Sequence, residues 1–444
     1  MENNIINNDI ELTRENAKAE FEKENYSIAK QILKTLWDNS SKDDEYLLYE
    51  YGKVLRKEKE GNTFIEICRE LNKDDRILSN SWIKSILCWC LYDCCIKNYT
   101  IEDNDSFDEF IKRAEYIKDN CSQGDVDQNF INPYILTIQK VVKIFNERAS
   151  KNFKEIIKWL SYLIPDKLSE EEFKFKDKTG KERELASPKE FYYQHLAKAF
   201  EKTKDYESCI RTCEKALNEI KKFHYRNETW IKARMYYSRC MVEEDIENAI
   251  SDYKKLADKE NFWFMYHKLS QICFRYNKIQ VALLYASKAY SNRFEYEKMV
   301  NLLIDTAFLW QATGNDSNAR LFFQGSAYYR KQHGWHFSEE LEYAVSNYKL
   351  DVDKKPDISK IQNICNDYIE SIEGKKDRFE GKIIKILSHG GSGFIKPEHG
   401  STNIYFNMKD VKGKITLRNS DIVEYELSEI KNGKCRAVKI VKRS

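Results

Sequence analysis

Ser392-Gly-Phe-Ile-Lys-Pro397 and Asn403-Ile-Tyr-Phe-Asn407 are two short runs, each bounded by breakers, in which inward and outward positions alternate. A period of two is the mark of a half-buried strand. Working outward, Phe379 to Leu387 forms a similar run before them, and Ile422 to Leu427 and Arg436 to Lys442 form two more after them. Five short strands packed into residues 378–444 predict a small Greek-key β-barrel. The alternation places Ile404 and Phe406 toward the barrel interior and Phe394 and Tyr405 on the outer face, on neighbouring strands.

The segment is also basic. Residues 378–444 hold 14 Lys and Arg against 7 Asp and Glu, whereas the rest of the chain holds 60 against 65. A near-neutral body with a basic terminal barrel points to a polyanionic ligand. Gly391-Ser-Gly-Phe-Ile395 resembles the Gly-aromatic-Gly-Phe-Ile word of the cold-shock family. Asn403-Ile-Tyr-Phe-Asn407 stands where that family has an acidic residue followed by Val-Phe-Val-His or Ile-Phe-Phe-His. Ser420-Asp421-x-Val423-x-Tyr425 looks like its Gly-Asp-x-Val-x-Phe strand, and Gly433-x3-Ala437-x2-Ile440 like its closing strand. The resemblance covers this tail only. It implies an OB-type barrel that binds single-stranded RNA or DNA, with RNA the favoured class. The site it implies is Lys382, Lys385, His389, Phe394, Lys396, Tyr405 and Asn407.

The chemistry is sound on its own terms. Every base has a π-face, so aromatic rings bind single strands with little regard to sequence, while lysines meet the phosphates. This chain departs from the family at three places. The tryptophan of the first strand is replaced near Lys385, the first aromatic of the glycine word is Ser392, and the histidine is Asn407. Two stacking rings remain, worth ~2–6 kcal/mol before ordering costs, so micromolar binding is expected. The competing reading is that Phe394 and Tyr405 merely seal the barrel.

Upstream, small residues recur at fixed offsets. Ala197, Cys209 and Ala216 are separated by 12 and 7, as are Tyr237, Ala249 and Leu256, then Ser270, Ala282 and Ala289, then Ala307, Ala319 and Ser326. Gly52, Phe64 and Leu71 keep the same offsets, as do Ala17, Ala29 and Leu36. Two helices approach closely only where side chains are short, so Ala197 and Cys209 are expected to face each other across a helix pair. This pattern resembles the tetratricopeptide repeat, whose arrays form an α-solenoid with a binding groove. Matching groove positions by offset gives Gln194, Lys198, His267, Gln271, Arg275, Asn301 and Gln311, a surface for a protein or peptide partner.

The expected organisation is degenerate helical repeats over 1–170, a hairpin or loop insertion over 171–187, tetratricopeptide-like repeats over 188–350, a helix and linker over 351–377, and the barrel over 378–444. In the insertion, Phe173 to Leu185 alternates around Gly180, and Ser187-Pro188 reads as the start of the next helix. No apolar run approaches a membrane span, and the polar, acidic N-terminus lacks a signal-peptide core. The 12 Cys lack framework spacing and read as buried free thiols of a cytoplasmic protein. His333-Gly-Trp-His336 has no further ligand at metal spacing and reads as a turn. No phosphate loop, HExxH or nucleophile elbow is present, and no cofactor is implied. The expectation is a non-enzymatic adaptor that joins nucleic acid to a protein. The alternatives are a peptide- or protein-sensing regulator, or a non-catalytic subunit of an anti-phage or RNA-processing assembly.

Overall fold

The computed structural model describes residues 12–71, 79–101, 107–124, 132–176, 179–242, 246–290, 296–374, 378–387, 390–400, 402–411, 415–430 and 434–443. The chain divides into two compact units, Met1–Ser238 and Arg239–Ser444, so the division falls inside the 188–350 repeat segment.

The first unit is helical. It contains α1 (Arg14–Glu22), α2 (Tyr26–Asp38), α3 (Glu45–Lys57), α4 (Gly61–Leu71) and α5 (Ser81–Leu91). A π-helical turn at Tyr92–Ile96 extends α5. Then come α6 (Phe107–Asn120), α7 (Pro133–Glu147) and α8 (Phe153–Ser161). An antiparallel hairpin follows, β1 (Phe173–Lys176) with β2 (Glu182–Leu185), in register Phe173↔Leu185 to Lys176↔Glu182. It occupies the place that the alternating stretch predicts. The next helices are α9 (Pro188–Thr203), α10 (Tyr206–Glu219) and α11 (Asn227–Met241), the last of which runs into the second unit. The hydroxyl of Ser187 accepts from the backbone N–H of Glu190 at 3.2 Å, with Pro188 in the first turn, so this helix starts where its cap chemistry puts it.

The second unit continues with α12 (Ile246–Glu260), α13 (Trp263–Arg275), α14 (Ile279–Ala289), α15 (Val300–Ala312), α16 (Asp316–Gln332), α17 (Glu339–Asn347) and α18 (Ile358–Glu373). Gly314, at φ 75°, stops α15, and the Asn315 side chain caps α16. The predicted connection over 373–377 lies in part outside the described residues.

The small-residue frame sets the packing of the pairs. Ala197, Cys209 and Ala216 are fully buried, and the Cys209 thiol donates to the Ala197 carbonyl at 3.3 Å across the pair. Ser270, Ala282, Ala289, Ala307, Ala319 and Ser326 are likewise buried. In the second trio the frame shifts by one residue. Ser238 is the fully buried small residue and Tyr237 is half-buried, because the bulky ring cannot enter the close approach. Replacing Ala282 or Ala319 with Trp is expected to lower stability by ~1–3 kcal/mol or more, since neither site has room for a ring. A melting temperature equal to wild type in calorimetry would contradict that packing.

The cysteines need one correction. All twelve are free, but Cys94, on the π-helical turn, and Cys435, at the barrel rim, are exposed, and Cys95 and Cys121 are half-buried. Among the described residues no helix is long and apolar enough to cross a membrane.

The barrel is built from β3 (Arg378–Ile386), β4 (Ser392–Pro397), β5 (Ile404–Asn407), β6 (Ile422–Ile430) and β7 (Lys434–Lys442). It closes in the order β3-β4-β5-β7-β6, with β5 and β7 parallel and every other pair antiparallel. This is the OB-type arrangement. The last two strands run longer than predicted because Ile430 pairs with Lys434 at the tip of their hairpin. Ile383, Ile395, Phe406, Val423, Tyr425, Ala437 and Ile440 fill the interior. Gly393 makes the closest backbone approach. A Cβ there would lie 2.4 Å from the Lys385 carbonyl oxygen and 2.6 Å from the Phe406 ring.

Candidate nucleic-acid interface

Strand register decides which side chains share the outer face. Phe394 of β4 pairs with Tyr405 of β5, and their rings meet edge-on at 5.8 Å between centroids and 70° between planes. On the other side, Lys396 pairs with Lys382 and Phe394 with Lys385 of β3. Without a register shift, residue 384 would face Phe394. A bulge between Ile383 and Lys385 leaves Ile384 exposed and sets Lys385 beside the ring. Five of the predicted residues are thus brought onto one face: Lys382, Lys385, Phe394, Lys396 and Tyr405. His389 lies outside the described residues.

Asn407 pairs with Ser392 on the same face, but its side-chain oxygen is already engaged. It accepts from the Lys409 N–H at 3.0 Å and caps the short turn Met408–Asp410. Its amide N–H groups and the second lone pair of that oxygen are left for a ligand.

The sequence reading missed Arg436. Its Cα pairs with Tyr405 across the parallel β5–β7 contact, which sets it on the aromatic face. Parity was available as a signal: Ala437 points inward, so its neighbour points out. Beside Arg436, burial raises the Asp410 carboxyl above its ordinary range, against the pull of Arg436 and Lys409.

The charges of the barrel are segregated. Glu424 pairs with Arg378 at 3.3 Å, Glu426 with Lys439 at 3.1 Å and Asp421 with Lys442 at 2.8 Å, and Arg443 engages Glu380 and Glu424. These pairs lie on or beside β3, β6 and β7. Among the described residues, Lys382, Lys385, Lys396, Lys409 and Arg436 have no carboxylate at ion-pair distance. The unpaired cations of the tail therefore gather around the two half-buried rings.

The predicted groove residues behave differently. Gln194 and Lys198 belong to the first unit, and His267, Gln271, Arg275, Asn301 and Gln311 to the second. In the second unit, Asp305 gathers His267 at 2.7 Å and Gln271 at 2.8 Å, a carboxylate that the offsets did not single out. Asn301 accepts from Arg330, Gln311 donates to the Tyr348 hydroxyl, and Arg275 contacts the Met241 sulfur. Much of this row is spent on bonds within the fold. The exposed turn that carries His333 stacks its imidazole on Trp335 at 4.6 Å and sets it 3.7 Å from the Glu297 carboxylate.

In the first unit Lys198 donates to the Asn146 side-chain oxygen at 2.8 Å. The Asn146 amide donates to the Val142 carbonyl at 2.9 Å and sits 3.3 Å from His195 Nδ1, which must then be the acceptor. Burial first, and then the Lys198, Lys143 and Arg234 cations, lower the His195 imidazole from 6.5 to about 4. Folding thus favours the neutral ring. That contribution is whole above pH 6.5 and drains away as pH falls toward 4, because the unfolded chain binds the proton more readily. At pH 5 the loss is on the order of 2 kcal/mol. His195→Gln is expected to lose less stability than wild type between pH 7 and pH 5; parallel denaturation curves for the two chains would show that the ring does not titrate in this window.

No family model matches the sequence, and no curated protein matches it. Solved structures do match. A tetratricopeptide repeat protein from Parabacteroides merdae ATCC 43184 aligns at 10% identity and a TM-score of 0.27, over 79% of this chain and 96% of that one. The human IFIT1 dimer with m7Gppp-AAAA aligns at 12% identity and a TM-score of 0.35, over 80% of this chain and 78% of that one.

Proposed function

We propose that the chain is a non-enzymatic adaptor whose barrel holds single-stranded nucleic acid, RNA foremost, across the β3–β4–β5 face. The observation that carries this reading is the coincidence of two half-buried rings with five cations that, among the described residues, have no carboxylate at ion-pair distance, while Arg378, Lys439, Lys442 and Arg443 are paired. Phe394 and Tyr405 offer stacking faces, while Lys382, Lys385, Lys396, Lys409 and Arg436 offer phosphate contacts. The face of the second and third strands is where barrels of this topology take oligonucleotides. A protein or peptide partner is assigned to the repeats of the second unit, at His267, Gln271, Arg275, Asn301 and Gln311.

Fluorescence anisotropy of the full chain tests the nucleic-acid half. A labelled single strand is expected to bind with micromolar affinity and to be preferred over the corresponding duplex. Lys385→Ala is expected to flatten the salt dependence by ~0.7 in log–log slope, the share of one single-strand phosphate. Duplex bound as well as single strand, or a slope unchanged in that variant, would remove the face from consideration.

A further inference from the structure

Three repeat helices of the first unit hold a second set of cations. Asn146 on α7 joins His195 and Lys198 of α9, as described above. Arg234 of α11 pairs with Glu201 of α9. Lys143, one turn before Asn146, holds its ammonium 5.7 Å from the centroid of the Phe191 ring, and that ring lies 4.1 Å from the His195 ring. Trp230 stands one turn before Arg234 on the same face of α11 and is 39% exposed.

The balance of charge here is one-sided. Lys140 acts on Lys143, Arg234, Lys151 and Lys202 act on Lys198, and Lys198, Lys143 and Arg234 act on His195, whereas the carboxylates that act on Lys143 and Lys198 are Glu147 and Glu201. Glu201 is already taken by Arg234 and by Lys202 at 3.7 Å. Among the described residues, neither Lys143 nor Lys198 has a carboxylate at ion-pair distance. Burial lowers the affinity of both ammonium groups for their proton, and repulsion lowers it further, from Lys140 on Lys143 and from Arg234 on Lys198. An arrangement that strains its own cations is relieved by an anionic ligand.

We propose that Lys143, Lys198 and Arg234, with Asn146 and the rings of Phe191 and Trp230, form a second binding site for single-stranded nucleic acid. The cations take phosphates, with Lys198 positioned by the Asn146 side-chain oxygen, and the rings take bases. An acidic peptide would satisfy the cations but leave the rings idle, so the nucleic acid is the better match. This site shares its ligand class with the barrel and shares none of its residues, so the two assignments fail separately.

The test uses the full chain in four forms: wild type, Phe394→Ala/Tyr405→Ala, Lys143→Glu/Lys198→Glu, and all four changes together. The probe is a labelled single strand of about 30 nucleotides. Both double variants are expected to weaken binding, and the combined form to bind at least tenfold more weakly than Phe394→Ala/Tyr405→Ala alone. Lys143→Gln/Lys198→Gln, with a melting temperature checked against wild type, covers the case in which the Glu form does not fold. It is expected to flatten the salt slope by ~1.4, two phosphate contacts. If the lysine changes leave the residual binding of the barrel variant untouched, the second site is wrong while the barrel assignment stands. If poly-glutamate binds wild type and is lost in the lysine variants while the oligonucleotide is not, the cluster belongs to an acidic peptide and the proposal is overturned.

Discussion

The full chain carrying Phe394→Ala and Tyr405→Ala binds a short single-stranded oligonucleotide at least ~30-fold more weakly than wild type, while its barrel stays folded. The size follows from stacking at ~1–3 kcal/mol per base, taken at its lower bound for two rings. The survival of the fold follows from where the rings lie. Ile383, Ile395, Phe406, Val423 and Tyr425 make the interior, with Ile386, Ile404, Met408 and Leu427 packed against it, and neither Phe394 nor Tyr405 belongs to that cluster. What the barrel loses is one cross-strand aromatic pair, ~0.2–1 kcal/mol. A sealing role predicts the reverse: a barrel that melts early and an affinity that falls only because the fold is gone. Circular dichroism of the variant, set beside its anisotropy titration, separates the two. A short oligonucleotide is the right probe, because it reports one site at a time.

The parts that could be read from the sequence were those set by short-range repetition. The offsets of 12 and 7 marked Ala197, Cys209 and Ala216 because close helix packing tolerates only small residues at those points. The alternation in Ser392 to Asn407 gave both the strands and their outward rings for the same kind of reason. What stayed hidden depended on bonds between distant residues. Lys385 was singled out as a phosphate contact, but the bulge that aims it at Phe394 leaves no local signature. The pairing of Asn301 with Arg330 and of His267 with Asp305 joins different helices, so offset matching marked as free surface residues that the fold uses. Of the cationic cluster around Asn146, Lys198 was marked only as a groove residue, and the rest escaped for the same reason. Its members come from α7, α9 and α11, and each alone reads as an ordinary solvated lysine or arginine. The shift from Tyr237 to Ser238 shows the limit of the repeat frame itself: burial, not count, decides which side chain takes the small-residue position.

Gly393→Ala is expected to unfold the barrel and leave the repeats standing. The added Cβ would fall 2.4 Å from the Lys385 carbonyl and 2.6 and 2.8 Å from two carbons of the Phe406 ring. The carbonyl belongs to the backbone just after the bulge, and the ring is fully buried, so neither can step aside as a surface side chain would. Relief requires β3 and β4 to part at the point where Ile386 pairs with Gly393. Overpacking of this kind costs ~1–3 kcal/mol and more when backbone must move. A core of this size supplies only about 3–5 kcal/mol in total, so the margin is consumed by one methyl group. Gly325→Ala is the matching control. The atoms nearest that Cβ are side-chain methyl ends rather than backbone, the two of Leu303 at 3.3 Å and Ile361 Cδ1 at 3.7 Å, and the residue is helical, where Ala is the better helix former. Its stability is expected to stay within ~1 kcal/mol of wild type. Limited proteolysis reads both variants at once: cuts within 378–443 appear in Gly393→Ala, while the helical fragment resists as in wild type. Oligonucleotide binding by the barrel goes with the fold, and what remains is the share held by Lys143, Lys198 and Arg234. A Gly393→Ala chain that resists protease and binds as wild type would mean that Phe394 does not sit opposite Lys385, and the face built on that register would have to be redrawn.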